Sequence, residues 1–286
     1  MSTSTVLYDA PGPRAKRRHL GLGVVTSLVV IVLVAVVVWR LLATDQFSQA
    51  RVAQFQYAEV QRELLRGYVA TLKAAAIASV LALLLGAVLA AGRLSDHRFL
   101  RLPASTLVEL FRAIPLLILM FFFYYGSLEY GLGLSPMWAV ILGLMLYNGS
   151  VLAEIFRAGI VAVPRGQSEA AYAIGLRKGQ VMRQVLLPQA VRSMLPAIIS
   201  QLVVLLKDTA LGFILTYNEL LYVAKQIGGR GAFDFPYVLT YLIVAAVYIA
   251  TCVVLSLLAS WLEKRSRRSR RSTTTALLED AAAPTT

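Results

Sequence analysis

Five polar residues that could contact a solute lie within or at the edges of long apolar stretches. They comprise one amide, one hydroxyl, one cation and two carboxylates: Asn148, Ser150, Glu154, Lys207 and Asp208. Polar side chains in apolar helices need partners, and such residues often mark the path of a solute. Lys207 and Asp208 diverge by about 100° on a helix, so they need different partners, which an α-amino acid or neighbouring helices could supply. Because Arg157 follows Glu154 by three residues, pairing along one helix face and a role in the solute path both stay open.

The residues that would support catalysis or cofactor binding lack the spacing that such chemistry requires. The sequence has no G-x-x-x-x-G-K-[ST] loop, so we do not expect this chain itself to hydrolyse a nucleotide. Its two histidines, His19 and His97, have no partner at metal-ligand spacing, and Cys252 is the only cysteine. No Ser-His-Asp constellation is visible. We therefore predict no catalytic residue, no metal site and no bound cofactor.

A further group of residues forms a charged loop between two apolar stretches. Its pattern is an acid with two alanines, then a glycine, then a leucine–proline pair: Glu169, Ala170, Ala171, Gly175, Leu187 and Pro188. This pattern predicts a short helix with a small-residue face, a turn that glycine permits, and a second amphipathic helix that ends near the proline. The two alanines would let another protein approach the backbone closely. Long ordered loops of this kind are usually functional.

The elements that must position these residues are membrane-spanning helices. Of the 286 residues, 58% are hydrophobic and 15% are charged, which argues against a soluble enzyme and against disorder. Since about 20 apolar residues cross a bilayer, six apolar runs predict six spans. These runs are Leu20–Trp39, Ala74–Gly92, Ala113–Leu128 with an extension back to Leu110, Pro136–Ala153, Ser193–Leu206 and Phe235–Leu262. A cleaved signal peptide is the alternative for the first run, but its length and the lack of an A-x-A site disfavour it.

The basic residues concentrate on one side of these spans. Residues 1–19, 93–112, 157–192 and 264–271 carry four, four, six and six of them, which is 20 of the 28 Lys and Arg residues. The positive-inside rule therefore places both termini in the cytoplasm. The net charge of +13 then follows from topology rather than from nucleic-acid binding, and the basic segment after the last span suits anionic lipid headgroups.

The loop resembles the signature loop of permease subunits of bacterial ATP-binding-cassette (ABC) importers. The pattern E-A-A-x3-G-x9-[apolar]-x-L-P is complete, with Val185 where isoleucine is commonest. Further segments are similar to the polar-amino-acid branch of that family: Leu65–Leu72, Glu109–Leu116, Leu152–Ile160 and Leu206–Thr209. The leader Val6–Pro13 is similar to that of glutamate-uptake permeases of actinobacteria.

This resemblance implies an all-α integral membrane protein of about six transmembrane helices, with a cytoplasmic coupling helix between spans 4 and 5. The loop residues Glu169 to Pro188 would contact a cytoplasmic ATPase, which would bind the ATP. The further partners would be a second permease subunit, the same or related, and an extracellular amino-acid-binding protein. The cargo would be a polar amino acid, with glutamate as the first choice. An ATP-independent secondary transporter or channel for a small polar solute is the alternative, and it would leave the loop unexplained.

The sequence divides into four regions on these grounds. Residues 1–19 form a cytoplasmic tail, and residues 20–63 form the first span with an outer interfacial segment. Residues 64–262 form the permease domain, and residues 263–286 form a basic and then disordered cytoplasmic tail. Within the second region, the stretch Asp45–Gly67 predicts an amphipathic helix along the outer membrane interface.

Overall fold

The computed structural model describes residues 12–281, and the regular structure in this part of the chain is entirely helical. The predicted all-α fold is therefore confirmed. The α-helices are α1 (Pro13–Ala43), α2 (Gln49–Ala53), α3 (Ala58–Arg93), α4 (Arg98–Ala113), α5 (Leu116–Glu129), α6 (Pro136–Val161), α7 (Arg165–Ala173), α8 (Lys178–Gln180), α9 (Leu187–Asp208), α10 (Leu220–Gly228) and α11 (Tyr237–Ala281). Disorder was predicted for both chain ends. Residues 1–11 and 282–286 of these ends lie outside the described residues.

Six helical units within residues 12–281 are long and apolar enough to cross a bilayer. Five are single stretches, at 14–43, 58–93, 136–161, 178–215 and 237–258, and the sixth is the bent pair of α4 and α5. Each coincides with one of the predicted apolar runs, so the predicted number of spans is confirmed. The apolar stretch of α1 buries no side chain against the rest of the chain, which leaves all its faces free for lipid.

The third crossing is broken, whereas a single run across residues 110–128 was predicted. Helices α4 and α5 meet at 97°. Ile114, between them, has extended backbone angles (φ −82°, ψ 127°), and Pro115 follows it. A proline ring disfavours the helical conformation in the preceding residue, so α4 ends at Ala113.

Small residues bring α3 and α6 together at the centre of the molecule. Ala78, Ala82 and Gly86 of α3 are buried, and Gly149 of α6 is buried beside them. A Cβ on Gly86 would lie 2.9 Å from the Gly149 carbonyl oxygen, so a larger residue would push the helices apart. Small residues are the usual basis of close helix packing in membranes. The α3–α6 pair is the scaffold that holds Asn148, which is fully buried.

The chain between α9 and α11 folds back in a short helix that was not predicted from the sequence. A 3₁₀ segment (Thr209–Leu215) follows α9, and Thr216 in the left-handed conformation (φ 58°) ends it. The nine-residue α10 then packs against α3 and α11. Nine helical residues rise about 14 Å, which is less than half the thickness of the bilayer core. Helix α10 is therefore too short to be predicted as a span from the sequence.

Two peripheral regions differ from their predictions. The outer segment is not one amphipathic helix, because Tyr57 is extended (φ −74°, ψ 128°) and separates the short α2 from α3. Helix α11 continues to Ala281, although disorder was predicted from Ser272 onward. No glycine or proline interrupts residues 237–281, and the Arg, Lys, Ala and Leu residues of this stretch all favour helix.

Candidate functional site

The loop that carries the sequence signature, residues 165–188, is here called the signature segment. It begins with α7, which ends in a tight glycine-dependent turn. Gly175 has φ +84°, its N–H donates to the carbonyl of Tyr172, and the N–H of Leu176 donates to the carbonyl of Ala171. This pair of hydrogen bonds is a Schellman motif, whose left-handed position favours glycine. The predicted short helix and glycine turn are therefore present.

The exposed side of α7 combines charge with apolar surface. Glu169 and Ala170 are exposed, and Ile174 at the end of the helix is 78% exposed. Ala171 was predicted to face a partner together with Ala170, but it is only 5% exposed. The reason is the helical period, since neighbouring residues differ by about 100° and α7 packs one of its sides against the following π-helical segment.

The second helix of the signature segment was predicted to end near Pro188, but it continues past this residue. Helix α8 passes into a π-helical stretch (Val181–Leu186) and then directly into α9, where Leu187 and Pro188 are the first two residues. Proline has no N–H to donate to the preceding turn, and the π-helical stretch directly before Pro188 is where this helix departs from the regular hydrogen-bonding pattern. Leu187 and Pro188 are exposed, whereas Val181 at the start of the π-helical stretch is fully buried. The signature segment is thus continuous with the fifth span.

One ion pair ties the signature segment to a different span. The ammonium of Lys178 at the start of α8 contacts the carboxylate of Asp96, in the turn between α3 and α4. The ammonium holds the pKa of the Asp96 carboxyl below its ordinary value. Among the described residues, the other polar contacts of this segment lie within it or reach Gln189 of α9.

A second group of predicted site residues meets between α6 and α9. The Gln201 side chain donates from Nε2 to Asn148 Oδ1 at 2.8 Å. The Asn148 amide is close enough to Asp208 to interact with its carboxylate, yet its Nδ2 lacks a protein partner at hydrogen-bonding distance. Asp208 is half-buried. The arrangement places an amide donor and a carboxylate side by side inside the membrane-spanning bundle.

The other three predicted path residues are placed elsewhere. Ser150 Oγ donates to the carbonyl of Leu146 at 2.8 Å, a bond within its own helix. Glu154 accepts from Arg93 at 2.7 Å and pairs with Arg157 at 2.5 Å, so it ties α3 to α6. The pairing that was one of two interpretations of Glu154 is therefore present.

Lys207 lies on a different side of α9 from Asp208. It is exposed and lines a groove of about 340 Å³ between α9 and α11, together with Ser200, Ser256 and Ser260. A molecule bound at Asn148 and Asp208 would therefore not contact Lys207 of the same chain.

Sequence reasoning missed Glu219, a carboxylate with no exposed surface. It caps α10, accepting from the N–H groups of Leu221 at 2.9 Å and Tyr222 at 2.7 Å, and from the Tyr248 hydroxyl at 2.9 Å. The Thr71 hydroxyl accepts from the N–H of Leu220 at 3.1 Å. The available signal was an acid directly before the apolar run that starts at Leu220, because acidic residues favour helix starts.

Comparison with known proteins identifies the family. Residues 82–268 match the family of binding-protein-dependent transport system inner membrane components. The chain belongs to this family. A glutamate transport system permease protein of Corynebacterium glutamicum is 42% identical over 210 residues, covering 72% of this chain and 76% of that protein. A glutamate/aspartate import permease protein of Escherichia coli is 36% identical over 211 residues, which are 71% and 93% of the two chains.

Solved structures agree with this assignment. The crystal structure of an amino acid ABC transporter with histidines has 30% sequence identity and a TM-score of 0.68, covering 75% of this chain and 97% of that chain. An inward-facing methionine ABC transporter, 22% identical with a TM-score of 0.58, shows the same fold over 74% of this chain and 98% of that chain. As a member of the family, this chain is a multi-pass membrane component of a transport system.

Proposed function

We propose that this chain is the membrane-spanning permease subunit of an ATP-driven importer for a polar amino acid, with glutamate as the leading cargo. The observation that carries the proposal is the signature segment, an exposed helix and glycine turn followed by α8, which continues as a helix into the fifth span. Its relatives named for glutamate and for glutamate and aspartate support the cargo. Other relatives are named for glutamine and arginine, so the cargo needs a direct test.

In this proposal both termini and the signature segment lie in the cytoplasm. The support is the excess of basic residues on that side of the six spans. The exposed face of α7, with Glu169, Ala170 and Ile174, would then meet an ATPase subunit. An extracellular amino-acid-binding protein would deliver the cargo to the opposite face. A second permease subunit, the same or related, would complete the path, since a two-sided path needs facing walls.

The lever in this mechanism is the continuous helical connection from α8 through the π-helical stretch into α9. Movement of an ATPase bound at α7 would displace the start of α9, because only the short turn at residues 174–177 separates α7 from the continuous helix that begins with α8. Helix α9 is 22 residues long, so its far end, with Asp208, lies about 33 Å away. ATP-driven closure would thus change the surroundings of Asp208 and of Gln201, the partner of Asn148.

The amino-acid contacts are assigned to Asn148 and Asp208. The Asn148 amide suits the α-carboxylate of an amino acid, and the Asp208 carboxylate beside it suits the ammonium group. Lys207 is a separate cation that would attract an acidic cargo without contacting the same molecule at Asp208. Ser150 and Glu154 have structural partners and receive no cargo contact in this proposal.

Uptake by proteoliposomes that contain the complete transporter tests these assignments. Asp208→Asn is expected to raise the KM for the amino acid about tenfold or more, because a hydrogen bond to a charged group contributes about 1.5–3 kcal/mol. Ser150→Ala, two residues from Asn148 on the same helix, is the control and should leave KM unchanged. Competition among glutamate, glutamine and arginine identifies the cargo. An unchanged KM in Asp208→Asn would remove this residue from the site.

A further inference from the structure

A cavity of about 680 Å³ lies between the spans and the signature segment, and the proposed path does not use it. Its walls come from the end of α3, the end of α6 and the start of α9. The interior side chains are almost all apolar: Ala87, Ala91, Leu94, Ile160, Val191 and Met194. A space of this chemistry holds water poorly, since water needs two or more polar partners.

The polar residues of this cavity lie together where α3 gives way to its following turn. They are Ser95, Asp96 and His97 from that turn and Lys178 from α8. Arg101 of α4 is also within electrostatic reach of Asp96. Asp96 is thus the one acid among these rim residues, and it is already paired with Lys178. With Arg101 counted, two permanent positive charges and one negative charge lie at or beside the rim of an apolar interior.

We propose that this cavity binds an acyl chain of an anionic phospholipid, with the headgroup at Lys178 and His97. The position supports this occupant, because the cavity adjoins the ends of three spanning helices, where inner-leaflet lipid would be the surrounding solvent. The charge supports it too, since basic clusters beside membrane helices attract anionic headgroups. This inference takes the cytoplasmic placement of the signature segment from the proposed function, but it does not depend on the cargo or on the ATPase.

A lipid bound here would influence the signature segment directly. A phosphate at the rim would compete with Asp96 for the Lys178 ammonium, and so loosen the ion pair that links α3 to α8. The acyl chain would fill the space between α3 and the start of α9.

Native mass spectrometry of the purified transporter with phosphatidylglycerol and phosphatidylcholine tests the proposal. Ala91→Phe places a ring in the cavity and is expected to lower phosphatidylglycerol occupancy at least tenfold. Val88→Phe adds the same ring to an exposed position of α3 outside the cavity and should retain the lipid. Both variants must show the same melting temperature as the wild type before their occupancies are compared.

A second pair of variants tests the headgroup contact. Lys178→Gln is expected to reduce the preference for phosphatidylglycerol over phosphatidylcholine severalfold, whereas Arg183→Gln, on the same segment but outside the cavity, should preserve it. Equal occupancy in Ala91→Phe and Val88→Phe would overturn the cavity assignment. Equal binding of the two lipids by the wild type would overturn the anionic headgroup.

Discussion

Helices α7 and α10 are both nine residues long, and each has one glutamate, which is Glu169 in the middle of α7 and Glu219 directly before α10. The surroundings of these two glutamates are opposite. Glu219 is fully buried, caps α10 with two backbone bonds and accepts a third from Tyr248. Helix α7 has no side-chain cap, and Glu169 is exposed. The difference indicates that α10 is fixed by its own chain, whereas α7 leaves its surface available to another protein.

The packing around the two helices shows the same contrast. Helix α10 lies against α3, where a Cβ on Gly67 would come 2.9 Å from Val223, and the Thr71 hydroxyl binds the α10 backbone. The signature segment reaches another span, within the described residues, through the exposed Lys178–Asp96 pair. Exposed ion pairs contribute about 0–1 kcal/mol, so this segment can move more easily than α10.

Glu219→Ala is expected to have the largest effect on stability. It removes a buried cap and leaves two N–H groups and a tyrosine hydroxyl without an acceptor, so the free energy of unfolding should fall by about 2–4 kcal/mol. The melting temperature in detergent measures this loss. Glu169→Ala is the matched variant on α7 and should change stability by less than about 0.5 kcal/mol. Equal destabilisation by the two substitutions would contradict the contrast between the helices.

Gly175→Asp is expected to abolish uptake while the chain still inserts into the membrane. Aspartate tolerates the left-handed conformation better than most residues, so the turn should survive at a cost of about 1–2 kcal/mol. The new charge would be buried against an ATPase without a partner, which is strongly unfavourable. Gly175→Asn is the control, since asparagine tolerates the same left-handed conformation and adds no charge. Normal uptake by Gly175→Asp would argue against the role of this turn in coupling.

Asp96→Asn is expected to have the smallest effect, changing uptake by less than about twofold, because the pair with Lys178 is exposed. The ammonium lowers the pKa of Asp96, so the pair is complete above the ordinary carboxylate range and is lost as the pH falls through the lowered pKa. The uptake rate should therefore show no pH dependence that arises from this pair between about pH 6 and pH 8. A large difference between Asp96→Asn and the wild type in that range would show that the pair holds the segment in place.

The sequence predicted the spans well because hydropathy depends only on composition along the chain. It failed at the third crossing, where the geometry depends on a single proline, and at α10, which is too short for a span and is held by contacts with α3. The glycine turn at Gly175 was predictable, since its motif is local. The continuation of the helix through Pro188 was not predictable, because the π-helical stretch before it has no distinctive composition.

The polar residues were harder to assign than the elements that hold them. Their types indicated that each needed a partner, but only the structure shows which partners they have. Ser150 donates to the carbonyl of Leu146, and Glu154 pairs with two arginines. Lys207 lies on a different side of α9 from Asp208. Asn148 keeps a free donor, which no sequence pattern could reveal because it depends on how α6 and α9 approach each other.

The most direct test of the coupling proposal is co-purification of the tagged chain from its native membrane in mild detergent, followed by mass spectrometry. The proposal predicts that an ABC ATPase is recovered with the chain, that Gly175→Asp loses it, and that uptake by the wild type depends on ATP. A chain that purifies without an ATPase, while uptake continues on an ion gradient alone, would contradict the coupling role of the signature segment.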